Sequence, residues 1–205
     1  MTTTLRRALW LAPRMGLLVG SCIAVGRTLT RRPPASEERI SRELGARRTP
    51  VGDALSLPAS WITDVPRAVA VTAGTITAVY GATRDWRKAS LPGAAVALAS
   101  AAHVASCLLV GRARPGVERM GADQITSSYP SGHVGAATAQ AAALAMLAGD
   151  QPSPRRRLIR GICLAYPLLV GWSRLYTGQH YLSDVLAGFV NGAVCARLAR
   201  RATGA

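Results

Sequence analysis

Apolar and polar positions follow each other along this chain in blocks far longer than a strand or an ordinary amphipathic helix. Apolar blocks lie near 8–26, 66–83, 89–110, 130–149, 158–176 and 181–199. Each approaches the roughly 20 residues that a helix needs to cross the hydrocarbon core of a bilayer. A soluble Ala-rich bundle would show a polar residue every three or four positions. The block 89–110, ASLPGAAVALASAAHVASCLLV, carries no charge at all. The pattern predicts an all-α, polytopic membrane bundle of about six transmembrane helices.

The first block is the least regular, because Pro13 and Arg14 interrupt it. An Arg at the centre of a span costs about 2.5–3.5 kcal/mol on insertion scales, whereas near an end it can snorkel. A spanning helix, an interfacial helix and a signal sequence all fit the block, and Val19-Gly20-Ser21-Cys22 faintly resembles a lipoprotein cleavage site. Residues 27–65 are different material, polar and charged of both signs, with Pro33-Pro34 and Pro50. They predict a long connection with an amphipathic helix on the membrane surface. The chain thus divides into an N-terminal apolar segment plus connection, 1–65, and a membrane core, 66–205.

Charge alters this picture less than its size suggests. A net charge of +15 over 205 residues points first to nucleic acid. The arginines, however, fall in short clusters between apolar blocks, such as Arg155-Arg156-Arg157, with no interleaved aromatic platform. The expected partner is a bilayer, not a nucleic acid. Cys22, Cys107, Cys163 and Cys195 all sit in apolar blocks with no C-x-x-C pair, so buried thiols are expected rather than a zinc site or disulfides.

Ionisable groups at membrane depth are expensive, which makes each a functional candidate. Three clusters stand out: Gly111-Arg112-Ala113-Arg114-Pro115 after the third block, Pro130-Ser131-Gly132-His133 opening the fourth, and Ser173-Arg174 through His180 to Asp184 between the fifth and sixth. Because successive spans alternate in direction, all three clusters meet at one membrane face. His180 and Asp184 are four residues apart, about 5–6 Å at Cβ on a helix. The carboxylate can accept a hydrogen bond from one imidazole nitrogen and leave the other free as a nucleophile. Arg114 and Arg174 offer planar forks suited to phosphate oxygens. Ser131 and Gly132 open a helix, where free N–H groups and the dipole favour an anion. These parts describe a phosphate cradle with two histidines.

The residues resemble the signature of the type 2 phosphatidic acid phosphatase superfamily, K-x6-R-P, P-S-G-H and S-R-x5-H-x3-D. The second motif is complete at Pro130-Ser131-Gly132-His133, and the third at Ser173-Arg174, His180 and Asp184. The first keeps Arg114-Pro115, but Cys107 stands at the Lys position, and Arg112 on the same rim is the candidate to supply the missing charge. The resemblance implies a phosphohydrolase without metal or other cofactor. In that scheme His180 attacks phosphorus, Asp184 orients it, and His133 protonates the leaving alkoxide and later activates water. Arg114, Arg174, Ser131 and the Gly132 N–H stabilise the equatorial oxygens. The substrate implied is an amphiphilic lipid phosphate or diphosphate, phosphatidate-like or polyprenyl-linked. The Arg-, Ala- and Gly-heavy composition points to a high-GC bacterium, and so to bacterial cell-envelope lipid metabolism as the setting.

Cys107 motivates an alternative, a catalytically weakened lipid-binding or scaffold protein of the same fold. A transporter would instead spread its ionisable groups through membrane depth. Other residues have plainer readings: His103 as a satisfied core histidine, Gly188 and Gly192 as close-packing positions, and Trp86, Trp172, Tyr176 and Tyr181 as an interfacial belt. Tyr176 and Tyr181 are near enough to the motifs to touch substrate, and Ser173 reads as a local hydrogen-bonding or phosphate-orienting group. Asp123 and Gln124 are placed to shape an entrance. The loops opposite the clusters hold ten short-loop cations, from Arg84 to Arg201, against Arg112, Arg114, Arg119 and Arg174 on the cluster side. The eight arginines of 27–67 would even that balance, but five acids accompany them. The positive-inside rule then puts the clusters on the extracytoplasmic face.

Overall fold

All six apolar blocks fold as helices, and the connection between the first two contributes a further pair. In this computed structural model, which describes residues 3–121, 124, 126–149 and 153–205, eight helices and no strand occur among the described residues. They are α1 (Thr3–Arg31), α2 (Ala35–Ala46), α3 (Pro50–Trp61), α4 (Val65–Thr83), α5 (Trp86–Val110), α6 (Gly132–Leu147), α7 (Pro154–Tyr176) and α8 (Leu182–Thr203). Local chemistry marks several ends. Asp85 accepts from the Arg87 and Lys88 N–H groups to start α5, and Ser153 accepts from Arg156 N–H ahead of Pro154 to start α7. Gly111, at φ 66°, ends α5 in the left-handed conformation.

Four helices are long and apolar enough to cross a membrane: Leu9–Arg31 within α1, α5, α7 and α8. The remaining two expected spans differ for distinct reasons. Arg67, Pro66 and scattered Thr and Gly dilute α4, and α6 has only 16 residues. Helix α6 packs against α5, α7 and α8, and Val134, Ala137, Ala139, Ala141 and Ala143 are buried. An enclosed central helix meets protein on most sides, so it does not need the length or apolarity of a lipid-facing one.

Helix α1 runs the length of the bundle. Near one end Arg201 of α8 lies over the Trp10 ring, and near the other Gly26 faces Tyr129 and Val110. Leu18 and Cys22 join Leu91, Ala95, Ala99, Ala139 and Cys195 in the main core. The Cys22 thiol is therefore a packing group of a long helix, as are the other buried cysteines. The α6–α8 contact is the tightest. A Cβ at Gly188 would stand 2.8 Å from the Ser131 carbonyl oxygen, and one at Gly192 would strike the α6 backbone at Gly135 and Ala139. Both glycines act as the small residues that let two helices approach.

The segment 27–65 departs from its expectation. It does hold amphipathic helices, yet α2 and α3 fold into the bundle, burying Glu37, Ser41, Ser56 and Ala59. Arg48 donates to the carbonyls of Tyr176 and Glu118, and the Tyr176 hydroxyl donates to Asp53 Oδ1 at 2.9 Å. The outer side of α3 and the start of α4 leave Val51, Leu55, Trp61, Ile62, Val65 and Val69 exposed. Glu37, Arg48 and Asp53 of the connection thus point inward, toward the ends of α5 to α8.

Candidate functional site

The three polar clusters meet at one end of the bundle, formed by the C-terminal ends of α5 and α7 and the N-terminal ends of α6 and α8. Ser131 N–H donates to the Asp184 carbonyl at 3.0 Å, tying α6 directly to α8. Gln179 and His180 both donate their N–H groups to the Arg174 carbonyl, closing the end of α7. That turn delivers His180 into a buried position, 2% exposed.

His180 Nδ1 lies 2.7 Å from the Ser128 carbonyl oxygen. A carbonyl only accepts, so Nδ1 carries the proton and Nε2 keeps its lone pair. Arg114 Nη1 stands 3.5 Å from Nε2. Asp184 is close, at 3.7 Å from Nδ1, but its oxygens are engaged elsewhere. Oδ1 accepts from Arg112 Nη1 at 2.5 Å, and Oδ2 from Tyr181 N–H at 2.9 Å. The hydrogen bond expected between His180 and Asp184 is therefore made to Ser128, because the capping role at α8 and the Arg112 pair hold the carboxylate. Burial lowers the His180 pKa to about 4, against the opposing pull of Asp184.

Arg112 does not turn into the cradle. Its guanidinium is 3% exposed and lies between Asp184 and Glu37 Oε2, 2.6 Å away on α2, with the Tyr181 ring 4.4 Å beneath it. Glu37 also accepts from Ser183 N–H at 2.8 Å. A buried cation between two carboxylates is already neutralised, so Arg112 braces the back of the site rather than offering a charge to its front. Arg114 donates to the Gln179 and Thr126 carbonyls and keeps its head beside His180.

Arg174 is buried at the wall of a cavity. The cavity measures about 550 Å³, and Leu57, Ser60, Trp61, Asp64 and Gln179 also line it. Nη1 donates to Ser60 Oγ, while Nε and Nη2, fully buried, have no partner among the described residues. Ser131 Oγ is likewise buried without a partner there, and it makes no capping bond at the start of α6. Donors left open in this way suit a ligand with several acceptor oxygens.

His133 sits at the first turn of α6, and its Nε2 lies 3.2 Å from Asp64 Oδ1. Asp64 in turn pairs with Arg67 at 3.2 Å. His103 packs under Gly132 and donates from Nδ1 to the Pro130 carbonyl at 2.9 Å, as its plain reading expects. Cys107 lies on the same underside, its thiol 3.5 Å from the Ser127 carbonyl and 3.7 Å from that of Tyr129. The position that carries Lys in the resembled signature here supports the 127–130 turn and adds no charge.

Several plainer expectations also resolve. Ser173 donates to the Ser56 carbonyl at 2.7 Å, a local bond. Tyr176 and Tyr181 face α3 and α2 instead of the cavity, with the Tyr181 hydroxyl donating to Glu38 at 2.9 Å. Gln124 lines the cavity, and Asp123 lies outside the described residues. Asp64, Ser60, Glu37 and the Ser128 carbonyl had no sequence prediction. Only Asp64 carried a local signal, as the acid preceding Val65-Pro66 at the start of an apolar block on the cluster side.

A family model described as the PAP2 superfamily matches residues 88–205. Two solved structures are similar in fold. One is the first transmembrane PAP2 type phosphatidylglycerolphosphate phosphatase from Bacillus subtilis, at 19% identity and TM-score 0.75, covering 95% of this chain and 94% of that one. The other is Aquifex aeolicus LpxE, at 19% identity and TM-score 0.66, covering 82% of this chain and 97% of that one. No curated protein matches the chain.

Proposed function

The chain belongs to the PAP2 superfamily, and from that premise we propose that it is an integral membrane phosphatase acting on a lipid phosphate or diphosphate through a phosphohistidine. One observation carries the reading: a buried imidazole held by Nδ1 on the Ser128 carbonyl, with Nε2 free beside Arg114. A neutral imidazole with a fixed tautomer is an activated nucleophile. Nε2 forms a bond to phosphorus as the ester P–O bond breaks. The departing oxygen takes a proton from His133. Positive charge then develops on the His180 ring, and the Asp184 carboxylate 3.7 Å away stabilises it.

Arg114, Arg174, Ser131 and the N–H groups at the start of α6 serve the phosphoryl oxygens. In the second half, His133 takes a proton from water as the water oxygen bonds to phosphorus and the P–N bond breaks. The Arg114 and Arg174 guanidiniums supply the positive charge that the phosphoryl oxygens require, so the proposed reaction needs no metal ion. The apolar wall at Leu57 and Trp61, continuous with the exposed face of α3, suits an ester whose tail stays in lipid. One of the two similar structures is a phosphatidylglycerolphosphate phosphatase, which supports a lipid substrate. The balance of cations between the two sets of loops favours an extracytoplasmic site.

The test is phosphate release by the purified protein from phosphatidate, phosphatidylglycerolphosphate and polyprenyl diphosphate, with EDTA present. Release from at least one of them is expected, and His180→Ala should lose roughly a thousandfold in kcat. Equal release by wild type and variant would contradict the mechanism. Binding without release would favour the scaffold alternative.

A further inference from the structure

The family match begins at residue 88, yet one carboxylate that reaches the candidate acid comes from residue 64. Asp64 lies between α3 and α4, immediately before Val65. Its Oδ1 is 3.2 Å from His133 Nε2, its Oδ2 is 3.2 Å from Arg67 Nη1, and the same residue lines the cavity that contains Arg174. Asp64 occupies the N-cap position of α4 but makes no capping bond there, so its carboxylate is directed to His133 and Arg67 instead. Arg67 stacks 3.7 Å from the Trp61 ring, which fixes the carboxylate from its other side.

We infer that Asp64 is a positioning residue for His133. The carboxylate accepts the Nε2–H, sets the ring plane and tautomer, and leaves Nδ1 as the nitrogen that exchanges a proton with the departing oxygen and later with water. The logic is that of a nucleophile–base pair whose base is oriented by a third group. It differs from the arrangement at His180, where a backbone carbonyl holds Nδ1 and Nε2 is free. Each imidazole is thus pinned by one oxygen, through opposite nitrogens, and the two free nitrogens serve different steps. The inference rests on the phosphatase reading and on His133 as the acid.

An orienting role makes a prediction that a purely structural role does not. An alkyl phosphate expels a poor leaving group that needs the proton, whereas 4-nitrophenyl phosphate expels an acidic phenol that does not. Phosphorylation of His180 is isolated in kcat/KM. For Asp64→Ala, kcat/KM should fall roughly a hundredfold on a long-chain alkyl phosphate, and on 4-nitrophenyl phosphate by no more than about threefold. Asp64→Asn retains an acceptor oxygen and should lie between Ala and wild type on the alkyl ester. That variant also carries the comparison if Ala does not yield folded protein.

Equal losses on the two esters, or no loss on either, would overturn the inference. A wild-type protein that hydrolyses neither ester would instead refute the phosphatase reading beneath it.

Discussion

His180 Nδ1 donates to the Ser128 carbonyl at 2.7 Å, and this one bond decides which nitrogen of the ring is available. The oxygen belongs to the backbone of the turn that leads into α6, so no side-chain substitution removes it. The acid four residues downstream shapes the charge of the ring without holding its proton.

A pH profile follows from the burial of that ring. Burial, partly offset by Asp184, lowers its pKa from 6.5 to about 4. The ring therefore stays neutral as the pH falls through 6.5 and is protonated only near 4, so the proposed nucleophile persists to that point. With 4-nitrophenyl phosphate, whose departure does not need His133, kcat/KM should hold from neutrality to about pH 5 and fall below. An acid limb centred near 6.5 would show that the ring is not desolvated as described.

The Arg112 pair predicts a stability effect from a residue far upstream in sequence. Glu37→Ala leaves a buried guanidinium with one carboxylate in place of two and orphans Ser183 N–H. Breaking a buried pair costs about 3–5 kcal/mol, so thermal unfolding in detergent should show a loss of that order. Glu43, exposed on the same helix, should tolerate Ala within about 0.5 kcal/mol.

Helix contact supports the site as directly as any polar group. In Gly188→Ala the new methyl meets the Ser131 carbonyl at 2.8 Å, forcing α6 away from α8. The expected cost is about 1–3 kcal/mol, with a fall in turnover because Ser131 and His133 move with the helix. Gly74→Ala, where a Cβ meets nothing within 4 Å, should be neutral or slightly stabilising.

Arg174 and Arg112 should separate cleanly in binding. Arg174→Lys removes Nε and a second Nη from a buried fork and should weaken inhibition by inorganic phosphate about 10- to 100-fold, as expected for one or two charge-assisted bonds. Arg112→Lys should lower thermal stability while changing phosphate inhibition far less, since Arg112 faces Glu37 and Asp184.

The motifs at 112–115, 130–133 and 173–184 were legible because ionisable residues stand out against long apolar blocks, and helix alternation alone brings them to one face. Close packing along one face of α8 was legible for a related reason, since Gly188 and Gly192 share a face with Asp184, but which helix packs there was not. The contribution of 27–65 was not. In a segment already rich in both signs, Glu37 and Asp64 have no contrast with their neighbours, and only the folding-in of α2 and α3 distinguishes them from surface charge. Arg112 was misplaced because sequence adjacency to Arg114 does not tell which way a side chain turns after Gly111. The tautomer bond was invisible because its acceptor, the Ser128 carbonyl, is a backbone atom that every residue carries.

The central claim is that His180 Nε2 becomes phosphorylated. Rapid quenching of the purified protein with a ³²P-labelled lipid phosphate tests it directly. The account predicts label on the protein that survives alkali, is lost in acid, maps to His180 and is absent from His180→Ala. Steady phosphate release with no protein-bound label, or label retained by His180→Ala, would contradict it.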